Sequence, residues 1–223
     1  MIVYAVDAGG EYITVDEAFA RHPDDKRGIY VNLTNRCTCA CTFCLRTMKK
    51  MAESHTLWLK KEPTVEEVEA GLDEAFKKHG ALISEVVFCG FGEPTMRLHD
   101  LVTLLGYVKN HYPSAATRVN TNGLSDLNFK RDTAPDFGGG ILDTISISLN
   151  ASNAERYLEL TRSEFGMPSY DAMLDFAVNV KQYVPNVVLT VVDHVEDSEE
   201  IKKCQKICDE RGLKLRVRVY EDK

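Results

Sequence analysis

Residues 145–150 read Ile145, Ser146, Ile147, Ser148, Leu149 and Asn150, so a strand there carries three aliphatic side chains on one face and three polar ones on the other. The same division recurs at residues 29–34, where Tyr30, Asn32 and Thr34 oppose Ile29, Val31 and Leu33. It recurs again at residues 215–220, where Arg216, Arg218 and Tyr220 oppose Leu215, Val217 and Val219. Strands covered by helices on both faces are nearly continuous apolar runs, because neither face meets water. These strands are not. One face is built to meet helices and the other to meet water or a polar ligand.

Six such β-rich segments, at residues 29–34, 85–89, 117–121, 144–150, 187–193 and 213–220, alternate with longer helical ones. Thr64, Val65, Glu66 and Glu67 form a capping-box signal, and Val68, Leu72, Ala75 and Phe76 then recur at helical spacing until Gly80. Helices are also expected at 98–112, 154–161, 169–183 and 197–211. Strictly alternating strands and helices imply parallel strands joined by crossover helices. Six units do not complete an eight-stranded barrel. The expected fold class is therefore α/β, a partial (β/α)6 TIM-like barrel whose polar lumen holds a ligand, the alternative being an open sheet with one face in solvent. Before it, segments 2–6 and 12–15 flank a Gly9-Gly10 turn and predict a short N-terminal β-hairpin, followed by a polar loop at 21–28. Residues 123–140 form a longer irregular connection. No repeat or linker is visible, so residues 1–28 are assigned as a hairpin extension and 29–223 as the barrel domain.

The chain has 223 residues, enough for a buried core without disulfide support. Its 27 Lys and Arg against 34 Asp and Glu, a net charge of -7, argue against a general nucleic-acid-binding surface. No basic segment leads into an apolar one at the N-terminus, and no apolar run approaches the ~20 residues needed to span a bilayer. The expectation is a cytoplasmic protein with no membrane partner. In that compartment, seven cysteines point to metal binding or catalysis rather than disulfides.

Four of the seven fall within eight residues. Cys37, Cys41 and Cys44 have the spacing C-x-x-x-C-x-x-C, with Phe43 directly before the last. Three neighbouring thiolates can hold three corners of a cubane cluster and leave the fourth iron open, whereas electron carriers fill all four positions. Here the chain resembles the radical S-adenosylmethionine (SAM) superfamily, whose members bind a [4Fe-4S] cluster through three such cysteines and chelate the open iron with SAM. Gly90, Phe91, Gly92, Glu93 and Pro94 resemble the glycine-rich motif that meets the SAM amino group, although the commonest form has two adjacent glycines. Asn120, Thr121, Asn122 and Gly123 resemble the family's Thr-Asn-Gly turn, and Ser146, Ser148 and Asn150 match the strand whose polar residues approach the SAM ribose and carboxylate. Gly90 and Gly92 are expected to let backbone carbonyls approach the ligand, with Glu93 as a further acceptor.

The resemblance spans residues 29–220. Within the superfamily, the segments 58–64, 88–95 and 120–123 are most similar to the short radical SAM proteins associated with TatD-family nucleases. The resemblance implies an enzyme that cleaves SAM reductively to a 5′-deoxyadenosyl radical, which takes hydrogen from a small-molecule, peptide or macromolecular substrate. It also implies a flavodoxin- or ferredoxin-type electron donor. An activase that installs a glycyl radical on a partner enzyme is a second reading, and a non-catalytic zinc or iron-sulfur module a third. Cys39 lies outside the motif's spacing and is read as a spectator, though it keeps a four-cysteine zinc site open. Cys204, Cys208 and Cys89 are read as packing residues, and Arg46 and Lys49 as solvated charges. Trp58 and Phe91 either stack on a ligand or pack. Arg118, Arg216 and Arg218 either enter the lumen, where they would pair with the SAM carboxylate or an anionic substrate, or face water.

Overall fold

A computed structural model describes residues 1–48 and 56–219. Its strands are β1 (Val3–Val6), β2 (Tyr12–Ile13), β3 (Arg27–Val31), β4 (Ile83–Phe88), β5 (Ala116–Thr121), β6 (Thr144–Ser148), β7 (Asn186–Val192) and β8 (Lys214–Arg218). The helices are α1 (Val15–Arg21), α2 (Leu45–Met48), α3 (Val65–His79), α4 (Leu98–His111), α5 (Ser125–Phe129), α6 (Ala154–Thr161), α7 (Pro168–Val180) and α8 (Ser198–Glu210). All strands join one sheet in the order β2-β1-β3-β4-β5-β6-β7-β8. From β3 to β8 every pair is parallel. The architecture is the α/β partial barrel expected from the alternation.

The two faces separate as the side-chain alternation requires. Ile29, Val31, Leu33, Val86, Phe88, Val119, Ile145, Ile147, Leu149, Leu189 and Val191 are buried in one apolar cluster with Leu72 of α3, Leu101 of α4, Met173 of α7 and Cys204 and Cys208 of α8. Each such aliphatic or aromatic side chain contributes roughly 1.5–3 kcal/mol on burial. The opposite face carries Tyr30, Asn32, Glu85, Arg118, Asn120, Ser146, Ser148, Thr190 and Arg216.

The N-terminal segment departs from expectation. The hairpin forms, but β2 ends at Ile13 rather than continuing to Val15. Thr14 instead caps α1, its Oγ1 accepting from the Glu17 amide at 3.2 Å while Glu17 Oε2 accepts from the Thr14 amide at 2.8 Å. The hairpin is also continuous with the barrel sheet, because β1 pairs antiparallel with β3 through Val3–Val31 and Tyr4–Tyr30. That register sets Tyr4 beside Tyr30 on the polar face, where Tyr4, Tyr12, Leu57 and Phe91 make a second apolar cluster.

Two further differences lie along the chain. The connection at 123–140 contains α5 and a 3₁₀ turn at Ala134–Phe137. On β8 the aliphatic face is covered only at its start: Leu215 packs on the core, but Val217 and Val219 are 46% and 77% exposed. Tyr220 and Lys49 lie outside the described residues. Among the described residues, no helix is long and apolar enough to cross a membrane.

Candidate cofactor site

Three loops at the carboxyl ends of β3, β4 and β5 meet at one end of the barrel. The first carries Cys37, Cys41 and Cys44, all half-buried. It is held from below by α6, since the amides of Ala40 and Thr42 donate to the carbonyls of Thr161 and Leu160, both at 2.9 Å. Arg46 is not a merely solvated charge, because its guanidinium donates to the Cys39 carbonyl at 3.3 Å and helps fix the loop. Phe43 packs partly buried against the main core.

The second loop lies directly against the first. The Glu93 amide donates to the Arg36 carbonyl at 2.8 Å. A Cβ on Gly92 would lie 2.3 Å from the Thr34 carbonyl oxygen and 2.6 Å from that of Arg36, and one on Gly90 would lie 2.1 Å from Asn32 Oδ1. The glycines are therefore needed for contact between this chain's own loops. Pro94 is buried at the start of the short 3₁₀ turn Pro94–Arg97.

Glu93 is committed to the protein in the same way. Its Oε1 accepts from the Thr95 amide at 3.0 Å, Thr95 Oγ1 at 2.8 Å and Thr121 Oγ1 at 2.7 Å, and its Oε2 accepts from the Asn122 amide at 2.7 Å. Burial pushes this carboxyl above the usual carboxylate range, opposed by those same donors. Glu93 thus ties the second loop to the third, with Oε2 receiving the Asn122 amide. Asn122 continues the chain of contacts: its Nδ2 donates to Thr38 Oγ1 at 3.2 Å and lies 3.9 Å and 3.7 Å from the sulfurs of Cys37 and Cys39.

Other predicted residues lie on or beside the polar face of the sheet. Asn120 Oδ1 is buried with no partner, as is Asn32 Oδ1. Ser146 Oγ accepts from the Arg216 guanidinium at 3.1 Å, Ser148 is half-buried, and Asn150 is buried at a left-handed φ of 63° just past β6. Phe91 packs edge-on to Trp58, which is 46% exposed. Cys39 is buried in the main core, although its amide lies 3.4 Å from Cys37 Sγ. Cys204 and Cys208 are fully buried in that core, as packing requires, whereas Cys89, just past β4, is half-buried. Sequence reasoning missed Thr38 and Thr95, whose hydroxyls, with that of Thr121 in the Thr-Asn-Gly turn, stitch the loops together. It also missed Tyr157, whose buried hydroxyl has no partner and whose ring lies near the cysteine loop.

These donors suit a cubane cluster. Among the described residues no three His, Cys, Asp or Glu side chains converge on a single-ion site. Cluster thiolates each take a different iron and need no common point. Burial pushes the Cys44 thiol up, so cationic iron is what would render it a thiolate. The orphaned Asn120 oxygen is an acceptor suited to a polar ligand beside it.

A sequence model of the Radical SAM superfamily matches residues 31–206. The chain belongs to the radical SAM superfamily. Membership brings a [4Fe-4S] cluster and SAM as its cofactors and makes this an enzyme of the radical SAM type. Among curated relatives, a GTP 3',8-cyclase of Corynebacterium glutamicum (strain R) is 30% identical over 218 residues, covering 96% of this chain and 53% of the relative. The chain thus spans about half the length of the curated relatives it matches. SuiB of Streptococcus suis bound to S-adenosylmethionine superposes with a TM-score of 0.61 at 18% identity, covering 92% of this chain and 42% of SuiB. SuiB bound to its precursor peptide SuiA gives 0.64 at 17% identity, with 92% and 42% covered. At those identities the likeness establishes the shared fold.

Proposed function

We propose that Cys37, Cys41 and Cys44 hold the [4Fe-4S] cluster and that the protein cleaves SAM reductively to take a hydrogen atom from an organic substrate. When bound, the reduced cluster gives SAM one electron, yielding methionine and the 5′-deoxyadenosyl radical that abstracts the hydrogen. The observation that carries this reading is the locking of the cysteine loop to the Gly90–Pro94 and Asn120–Gly123 segments through Glu93 and Asn122. A simple binding module has no use for that arrangement.

The chain's own residues have distinct tasks. Glu93 is a buried carboxylate whose hydrogen-bond partners among the described residues are all neutral donors. An incoming ammonium beside Oε2 would compensate its charge. Asn120 Oδ1 is left to accept from the ligand, and Ser146, Ser148 and Asn150 offer further polar contacts from β6. Asn122 positions the cysteine loop.

The subfamily reading, the short TatD-nuclease-associated group, rests on the resemblance of segments 58–64, 88–95 and 120–123 alone, and the similarity to GTP 3',8-cyclases makes a cyclase the competing reading. The 58–64 segment is tied to the cysteine loop, since Glu62 receives Thr34 Oγ1 and a two-point ion pair from Arg36 at 2.8 and 3.0 Å, and the Pro63 carbonyl receives Arg97 at 2.6 Å. The protein would work in the cytoplasm with a flavodoxin- or ferredoxin-type donor. Electron paramagnetic resonance on anaerobically reconstituted, dithionite-reduced protein tests the proposal. A [4Fe-4S]+ signal that shifts on adding SAM is the expected result; a cluster indifferent to SAM, or bound zinc without a cluster, overturns it.

A further inference from the structure

The polar face of the sheet gathers three guanidiniums and one carboxylate. Arg118 on β5 pairs with Glu85 on β4 at 2.7 Å, so it lies along the face rather than pointing out. Its Nε is buried and has no partner. Arg216 starts from β8 and reaches Ser146 Oγ on β6 at 3.1 Å, passing over β7. That reach decides its direction: an edge-strand arginine facing water would not cross an intervening strand. Arg218 follows two residues later on the same face, opposite Val192.

We propose that Arg118, Arg216 and Arg218 form an anion-recognition site on the polar face of the sheet, which binds the carboxylate or phosphate group of the substrate. The proposal rests on the radical SAM reading, because it assigns the cavity to a substrate. Glu85 answers one of the three charges, which leaves two for a ligand. A guanidinium fork matches both oxyanion types. Burial, together with repulsion from Arg118 and Arg218, lowers Arg216 from the usual guanidinium range, as expected of cations gathered without enough counter-charge. Along β5, Arg118 precedes Asn122 by four residues, about 13 Å of strand. An anion held there leaves room for the reacting part of the substrate between the guanidiniums and the cysteine loop.

The test is calorimetry on the reconstituted holoprotein at low ionic strength, with inorganic pyrophosphate and succinate as probes. The wild type is compared with R216Q/R218Q and with K202Q/K206Q, which removes the same charge from the exposed side of α8. At least one probe should bind the wild type, and R216Q/R218Q should weaken it about tenfold or more while K202Q/K206Q does not. Preference for pyrophosphate identifies a phosphate ester and preference for succinate a carboxylate. R216K keeps the charge but loses the fork, and should bind with intermediate affinity. No binding by the wild type, or equal weakening in both double variants, refutes the site. Loss of SAM affinity in R216Q/R218Q with probe binding unchanged also refutes it, assigning the arginines to SAM. If the wild-type cluster ignores SAM, the functional reading fails while the anion result still stands.

Discussion

Gly92→Ala tests whether the three loops form one unit. The added Cβ would sit 2.3 Å from the Thr34 carbonyl oxygen, 2.6 Å from that of Arg36 and 2.8 Å from the Thr34 carbonyl carbon. All three atoms are backbone, so no side-chain rotation relieves the clash, and the cysteine loop must retreat by about 1 Å to reach ordinary contact. Overpacking of this kind costs about 1–3 kcal/mol. The Glu93 amide to Arg36 carbonyl bond beside it, 2.8 Å long, adds about 1 kcal/mol when broken. The sum, about 2–4 kcal/mol, lowers the melting temperature by roughly 4–16 °C for a domain of this size. Gly106→Ala is the matched control: Gly106 lies within α4 with nothing within 4 Å of its added Cβ. Alanine there should stabilise by about 0.5–1 kcal/mol. Thermal unfolding and iron content of the reconstituted proteins are the assays. Gly92→Ala should melt lower and retain less iron, while Gly106→Ala melts slightly higher with iron unchanged. If Gly92→Ala melts within 2 °C of the wild type, a shift of about 1 kcal/mol or less, and holds full iron, the loops do not touch as described and the reasoning fails.

Cys41→Ala should abolish cluster assembly whereas Cys39→Ala should retain it, read as iron and sulfide per chain; equal loss would make Cys39 a ligand. Glu93→Gln keeps the side chain's shape but removes its charge, so SAM affinity measured by calorimetry should fall about tenfold or more, with the cluster retained. Unchanged affinity would leave Glu93 as a strut between loops and nothing else. Burial pushes the Cys204 and Cys208 thiols up to about 12 and about 11. In native protein at pH 8 both should resist iodoacetamide while unfolded protein is alkylated at both, and mass spectrometry of the peptides decides it.

The barrel was legible in the sequence because a period of two is hard to hide. Ser146, Ser148 and Asn150 against Ile145, Ile147 and Leu149 divide a strand in one way only, and the same parity reappears on β3. What was not legible depended on contacts between distant segments. Nothing local at Tyr4 says that β1 pairs with β3, since that register is set by apolar packing on both faces. The α1 helix is different: Thr14 and Glu17 carry the same capping signal as Thr64 and Glu67, but the preceding β-rich residues masked it. On β8, alternation alone suggested a covered aliphatic face, yet coverage needs a helix of sufficient reach, and Val217 and Val219 lie beyond it.

At the candidate site the motif residues also hold the loops to one another, a task their spacing does not announce. Gly90, Gly92, Glu93 and Asn122 all stand beside the cysteine loop, and each makes close contact with this chain. The reason is physical. Three loops that together present a reactive cofactor must be rigid relative to one another, and loops have few buried apolar contacts with which to achieve it. Close glycine approach and a buried carboxylate with four donors supply that rigidity instead. Motif spacing cannot distinguish a residue that touches the ligand from one that holds its neighbour still, because both are fixed at the same place in the chain. The unpartnered oxygen of Asn120 makes that distinction. Beside loops held together by internal hydrogen bonds, a buried acceptor left open marks where a ligand's donor belongs.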